Sequence, residues 1–210
     1  IRPSAGEVRG EYLALGSERL YRIAHYDRMS PFFLSIVSAS DHWLFISSNG
    51  GLTAGRRNSD NALFPYYTED KIHDGSDHTG SRTFLRVAKD DRCHVWEPFS
   101  HHCRQLYEVS VNIFKNVSGN KLMFEEINHD LRLAFRYRWA TSDEYGFVRQ
   151  VELLPEPQAR LQRLGAADRD VATTGRDAAA GAVTHGSRQS QFGPGFVAHV
   201  ERHRILGHGL

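Results

Sequence analysis

The sequence predicts an all-β protein, built as an antiparallel β-sandwich. The first observation is the stretch from Leu131 to Trp139. Leu131, Leu133, Phe135, Tyr137 and Trp139 alternate with Arg132, Ala134, Arg136 and Arg138. A helix would bring both sets round to the same side, whereas a strand sends them to opposite faces. The second is the recurrence of short β-branched and aromatic runs, such as Phe32 to Val37 and His42 to Ile46. The third is the shortness of the polar links between such runs, which suits hairpins and meanders.

Taken in order, residues 1–28 read as an N-terminal extension. Glu11 to Leu15 and Arg19 to Ile23 are expected as short edge pieces or extended connections. Residues 29–154 form the sandwich domain. Phe32 to Val37 and His42 to Ile46 pair across the polar link Ser38 to Asp41. Arg82 to Val87 and Cys93 to Trp96 pair across Lys89-Asp90-Asp91, a turn sequence. Tyr107 to Ile113 alternates as a half-buried strand, Val117 to Asn120 turns, and Lys121 to Ile127 returns. After Leu131 to Trp139, with Arg132, Arg136 and Arg138 expected on a solvated face, Phe147 to Leu154 supplies another strand. From Pro155 to Leu210 aromatic residues nearly vanish and lysine is absent, while Ala, Gly, Arg and His dominate. This tail, residues 155–210, is expected to be irregular or weakly helical. Short helices are expected over Leu161 to Val171 and Val197 to Ile205, and no order between them.

A chain of 210 residues holds one full core with room for an appendage. Its formal net charge of +1, with cations scattered among carboxylates, gives no basic stripe and argues against a nucleic-acid partner. No apolar run approaches the length of a membrane-spanning helix. The chain starts at Ile1 with no charged-then-apolar leader, so a fragment or processed product is expected, in a cytoplasmic setting. Cys93 and Cys103 do not form a disulfide-rich framework.

One stretch concentrates ligand-binding chemistry. Ser47 to Tyr67 joins glycines, adjacent arginines, amides, a carboxylate and paired tyrosines. Glycines let a backbone approach a ligand closely. Arginines, amides and carboxylates hydrogen-bond polar ligands, and tyrosines offer flat faces. The mixture suits a sugar. Asn49, Arg56, Arg57, Asn58 and Asp60 are the expected hydroxyl-binding residues, with Tyr66 and Tyr67 stacking on a pyranose ring. The competing expectation is a solvated connection in which Arg56 and Arg57 pair with Asp60, Glu69 or Asp70.

Three segments carry a family resemblance. They are Ser48-Asn49-Gly50-Gly51-Leu52-Thr53-Ala54-Gly55-Arg56, Gly80-Ser81-Arg82-Thr83-Phe84-Leu85-Arg86 and Val95-Trp96-Glu97-Pro98-Phe99-Ser100. In order and spacing they resemble the N-terminal β-sandwich domain of cellobiose-phosphorylase-type enzymes and the related cyclic β-1,2-glucan synthases. Leu52 and Arg56 stand where that family carries tyrosine and tryptophan. The resemblance covers Met29 to Leu154 and implies a supersandwich of the galactose-mutarotase type. It further implies an oligosaccharide or β-glucan as ligand and a helical-barrel catalytic domain encoded downstream. The catalytic acid of that family lies in the barrel, so no catalytic residue is expected here and none of the seven site residues is given a chemical step. The family's sandwich continues beyond the point matching Leu154. An incomplete sandwich, from a truncated or frame-shifted gene, is therefore expected.

Other constellations are weaker. Cys93, His94, His101, His102 and Cys103 are zinc-competent, but their spacing fits no zinc motif, and buried cysteines beside surface histidines are expected. Glu69, Asp70, His73, Asp74, Asp77 and His78 crowd one loop without the order of a calcium site. Glu125 and Glu126 are strand neighbours and should face opposite ways, which makes them poor acid/base partners. No metal or cofactor is expected. The sequence thus points to a sugar-flanking part of a glycoside phosphorylase or hydrolase, not catalytic alone. A stand-alone carbohydrate-binding sandwich and a product without function are the alternatives.

Overall fold

A computed structural model describes residues 6–62, 71–76, 79, 82–102, 105–156, 162–163, 191–192 and 196–201. The strands are β1 (Arg9–Leu15), β2 (Glu18–Ala24), β3 (Phe33–Ile36), β4 (His42–Ser47), β5 (Leu52–Arg56), β6 (Phe84–Lys89) and β7 (Arg92–Trp96). They continue with β8 (Val109–Asn116), β9 (Lys121–Asn128), β10 (Leu133–Ser142) and β11 (Gly146–Pro155). Short strands β12 (Gln162–Arg163), β13 (Gln191–Phe192) and β14 (Phe196–Glu201) complete the set. Among the described residues three short 3-10 turns are complete, Tyr26–Arg28, Ser59–Asn61 and Ile72–Gly75. None is long or apolar enough to cross a membrane.

All strand pairings are antiparallel. A seven-stranded sheet runs β11-β10-β9-β8-β2-β1-β12. Two smaller sheets, β3-β4-β5 and β13-β14-β6-β7, accompany it. The expected all-β antiparallel sandwich is the observed architecture. Local chemistry explains the hairpins. Lys89 pairs with Arg92, and the intervening Asp90 and Asp91 have φ of 51° and 57°. That is the type I′ geometry whose twist matches flanking strands, and Asp tolerates it well. Pro155 closes β11, an outer strand, where a missing N–H costs no ladder bond.

One face of the large sheet carries two apolar clusters. Ile36, Leu44, Ile46, Leu52 and Ala54 of the β3-β4-β5 sheet pack against Val111, Ile113, Leu122, Phe124 and Trp139. Leu85, Val87 and Trp96 of the β6-β7 pair pack against Leu131, Leu133 and Phe135. Burying each such side chain contributes about 1.5–3 kcal/mol. Phe99 and Tyr137 touch both clusters and mark the seam between the two small sheets.

The opposite face is not the solvated surface expected from its arginines. Leu13, Leu20, Phe114 and Met123 form a third cluster there. Asn112, Glu125 and Arg136 lie side by side in register across β8, β9 and β10. Arg136 is only 4% exposed and its Nε donates to Glu125 Oε2 at 2.5 Å. A buried cation is tolerable because the carboxylate sits directly opposite, a partnership that only the register reveals. Arg132 lies outside β10, in the β9–β10 turn, with φ of 56°.

Two further expectations change. The N-terminal segment supplies full seven-residue strands, and β2 is interior, paired with β1 and β8. Leu13 and Leu20 hold it there by packing on Phe114 and Met123. Phe196–Glu201, which overlaps the expected second helix Val197 to Ile205, is a strand paired with β6. The expected helix over Leu161 to Val171 and the stretch between the two helices fall mostly outside the described residues.

Candidate functional site

Among the described residues the two small sheets share no strand pairing, and a cleft lies at their seam. Its first wall is the β4–β5 turn. Gly50 has φ of 95°, open to glycine at little cost. A Cβ on Gly51 would stand 2.2 Å from the Ile72 carbonyl oxygen, so only glycine lets the 3-10 turn Ile72–Gly75 lie against the hairpin. That turn is then fastened by side chains. Asn49 Nδ2 donates to the His73 carbonyl at 2.8 Å, and Ser47 Oγ lies 2.5 Å from His73 Nδ1. Thr79 Oγ1 donates to the Gly75 carbonyl at 2.7 Å and accepts from the Leu52 N–H at 2.9 Å.

The second wall follows β7. Glu97 is buried, and its Oε1 accepts from Arg82 Nε at 2.6 Å. The next turn places Phe99 at a φ of 63°, an uncommon conformation for a non-glycine residue. Glu126 from β9 holds it there: one carboxylate oxygen accepts from Phe99 N–H at 2.7 Å and the other from Trp96 Nε1 at 2.8 Å. Glu125 and Glu126 do face opposite ways, one serving each side of the sheet.

The floor is aromatic. The Tyr137 ring stacks on Phe124 with centroids 4.8 Å apart, and Phe99 meets Tyr137 edge-on at 5.2 Å. Arg149 of β11 sits opposite Trp139 in register, with its guanidinium carbon 4.7 Å from the Tyr137 ring centroid. Burial pushes the Tyr137 hydroxyl pKa well up, and burial also draws the Arg149 pKa down, with Tyr137 opposing that shift. Both groups keep their ordinary charge at neutral pH, since arginine starts so high.

The cleft has two adjoining parts, both bordered by Asn49, Gly50, Phe99, His101 and Tyr137. The smaller, about 80 Å³, lies between Arg82, Glu97, Trp139 and Arg149. The larger, about 460 Å³, extends toward Asp27, Arg28 and Pro31.

Of the residues expected to bind a sugar, Asn49 borders both parts of the cleft. Arg56, Arg57, Asn58 and Asp60 are at the far end of β5 and border neither. Arg56 Nη2 lies 3.2 Å from Asp41 Oδ1, and Arg57 Nε lies 3.1 Å from Asp41 Oδ2. Their partner is thus Asp41, not Asp60. Asn58 Oδ1 accepts from the Asp60 N–H at 3.2 Å and caps the turn Ser59–Asn61. Tyr66 and Tyr67, like Glu69 and Asp70, lie outside the described residues. Sequence reasoning missed Arg82, Glu97, Phe99, Tyr137 and Arg149 as a site. One signal was present: Phe147, Arg149, Val151 and Leu153 share a face, and the arginine interrupts an apolar series.

Cys93 is exposed and His94 half-buried, which reverses the expectation of a buried cysteine, because β7 turns that face outward. Cys103 lies outside the described residues. Among the described residues no group of three His, Cys, Asp or Glu side chains is placed to hold a metal ion.

The class defined by this architecture is an all-β antiparallel sandwich with a cleft at the seam of its split layer. Neither a family model nor a curated protein matches the chain.

Proposed function

We propose that the chain binds an oligosaccharide in the seam cleft and forms one wall of the sugar site of a carbohydrate-active enzyme. The parent is of the cellobiose-phosphorylase or β-glucan synthase type, and its chemistry belongs to a helical-barrel domain. One observation carries the proposal. The three segments that resemble that family are separate in sequence, yet Asn49 and Gly50, Arg82 and Thr83, and Glu97 to Ser100 border one cleft. Its floor, Phe99 and Tyr137, supplies the flat apolar surface that a pyranose ring stacks on, and its rim supplies donors and acceptors.

With one wall only, binding should be weak, about −4 kcal/mol or millimolar. Titration with β-linked gluco-oligosaccharides, followed by NMR, should shift the amides of Asn49, Gly50 and Phe99 and the Tyr137 ring. Shifts confined to residues 56–60 would overturn the proposal. No turnover of the same sugars is expected, with or without phosphate.

A further inference from the structure

We infer that the smaller part of the cleft is a seat for an oxyanion, a carboxylate or phosphate group, so that the sugar this site takes is an acidic one. The inference rests on the sugar-binding proposal and goes beyond it in naming the charge of the ligand.

Arg149 is the reason. It occupies a register position on the apolar face, between Phe147 and Val151, and its guanidinium lies over the Tyr137 ring, 4.7 Å from the centroid. Half out of water, it loses hydration, and burial disfavours its charge. A guanidinium carries five N–H donors, and an aromatic face satisfies none of them with a lone pair. Among the described residues Arg149 has no carboxylate partner and no hydrogen-bond acceptor, Tyr137 being the one titratable group that acts on it.

Among the described residues that border the cleft, the other charges cancel. Arg82 is joined to Glu97, and in the larger part Asp27 and Arg28 bring one charge of each sign. His101 adds no negative charge. Among those bordering residues one positive charge is left over, that of Arg149. The volumes fit the same division of labour. A space of about 80 Å³ holds several waters, enough for one small anionic group. The adjoining 460 Å³ lies in the range of small-molecule sites and has the aromatic seam as its wall. An arginine fork is the natural partner for a planar carboxylate or a phosphate, binding it through paired hydrogen bonds.

The test is calorimetric titration of the full chain with three probes: cellotetraose, the β-1,4-linked tetramer of glucuronic acid, and inorganic phosphate. The uronate should bind about tenfold tighter than the neutral tetramer, the scale of one charge-assisted hydrogen bond. Arg149→Met should abolish that preference, so that the two tetramers bind alike. Arg149→Lys keeps the charge without the fork, should retain part of the preference, and covers the case in which the methionine variant fails to fold. Equal binding of the two tetramers to the unaltered chain overturns the oxyanion seat and leaves the sugar site standing. So does a preference that survives intact in Arg149→Met. Phosphate binding that requires Arg149, with no affinity for either tetramer, upholds the seat and overturns the sugar site. Binding of none of the three overturns both.

Discussion

Arg136 and Glu125 face each other across β10 and β9, Nε to Oε2 at 2.5 Å, with almost no side-chain surface open to water. Asn112 Nδ2 donates to the other carboxylate oxygen at 2.7 Å. Removing one member of a buried pair strands the other, so Arg136→Met should lower unfolding free energy by about 3–5 kcal/mol. The double variant Arg136→Met with Glu125→Leu should recover much of that loss. Urea denaturation of the two variants checks it; equal losses would show that the pair is not what matters.

Glu126 is expected to govern both stability and the cleft. Glu126→Ala leaves Trp96 Nε1–H and the Phe99 N–H without their acceptor. One buried and one partly buried bond to a carboxylate are lost, which should cost about 3 kcal/mol. Glu126→Gln keeps one acceptor and should cost less. The near-ultraviolet circular dichroism of Trp96 and the urea midpoint report the change, and sugar-induced shifts at Phe99 should vanish in the alanine variant.

Asp41 should titrate below its ordinary value of 3.8, held down first by the hydrogen bond from Arg57 and then by Arg56. A depressed carboxyl contributes stability above 3.8 and loses it as pH falls through the lower folded value. The group is exposed and screened by solvent, so the gain in stability is small. NMR titration of the Asp41 carboxyl should show the midpoint rising in Arg57→Ala. The same variant should bind sugar as the unaltered chain does, because Arg57 is remote from the cleft.

His25 is held below its ordinary 6.5, chiefly by burial, with Arg28, Arg22 and His129 adding to the effect and Asp27 opposing it. The fold thus disfavours the charged imidazole. The neutral ring's contribution is complete above 6.5 and is lost as pH falls through the lower folded value. His25 has φ of 53°, so asparagine is the replacement that suits its backbone. Urea unfolding at a series of pH values from about 7.5 to 5 should show a shallower decline in His25→Asn than in the unaltered chain.

β10 was legible because period-two alternation over its length has one physical meaning, and the β6–β7 hairpin because Asp-Asp suits a tight turn. The N-terminal strands were less legible, since Arg19, Arg22 and Glu11 dilute their apolar pattern. Asn49 was found through the glycines beside it. Arg56 to Asp60 were grouped with it by composition alone, yet β5 intervenes, and a strand carries residues apart by about 3.3 Å each. Arg149 and Tyr137 became a site only through the gap between two sheets. That gap is a property of tertiary packing, to which no local pattern corresponds.

The cleft draws its walls from Asn49, Arg82, Phe99 and Arg149, so every wall depends on contacts between distant parts of the chain. Closing such long loops is entropically costly until the sheets themselves are in place. The seam therefore assembles late, after the β8–β9–β10 meander has formed. Substitutions at Glu97 or Arg149 should leave the refolding rate nearly unchanged and hasten unfolding. Ligand bound there should act the other way, lengthening the lifetime of the folded chain without speeding its formation.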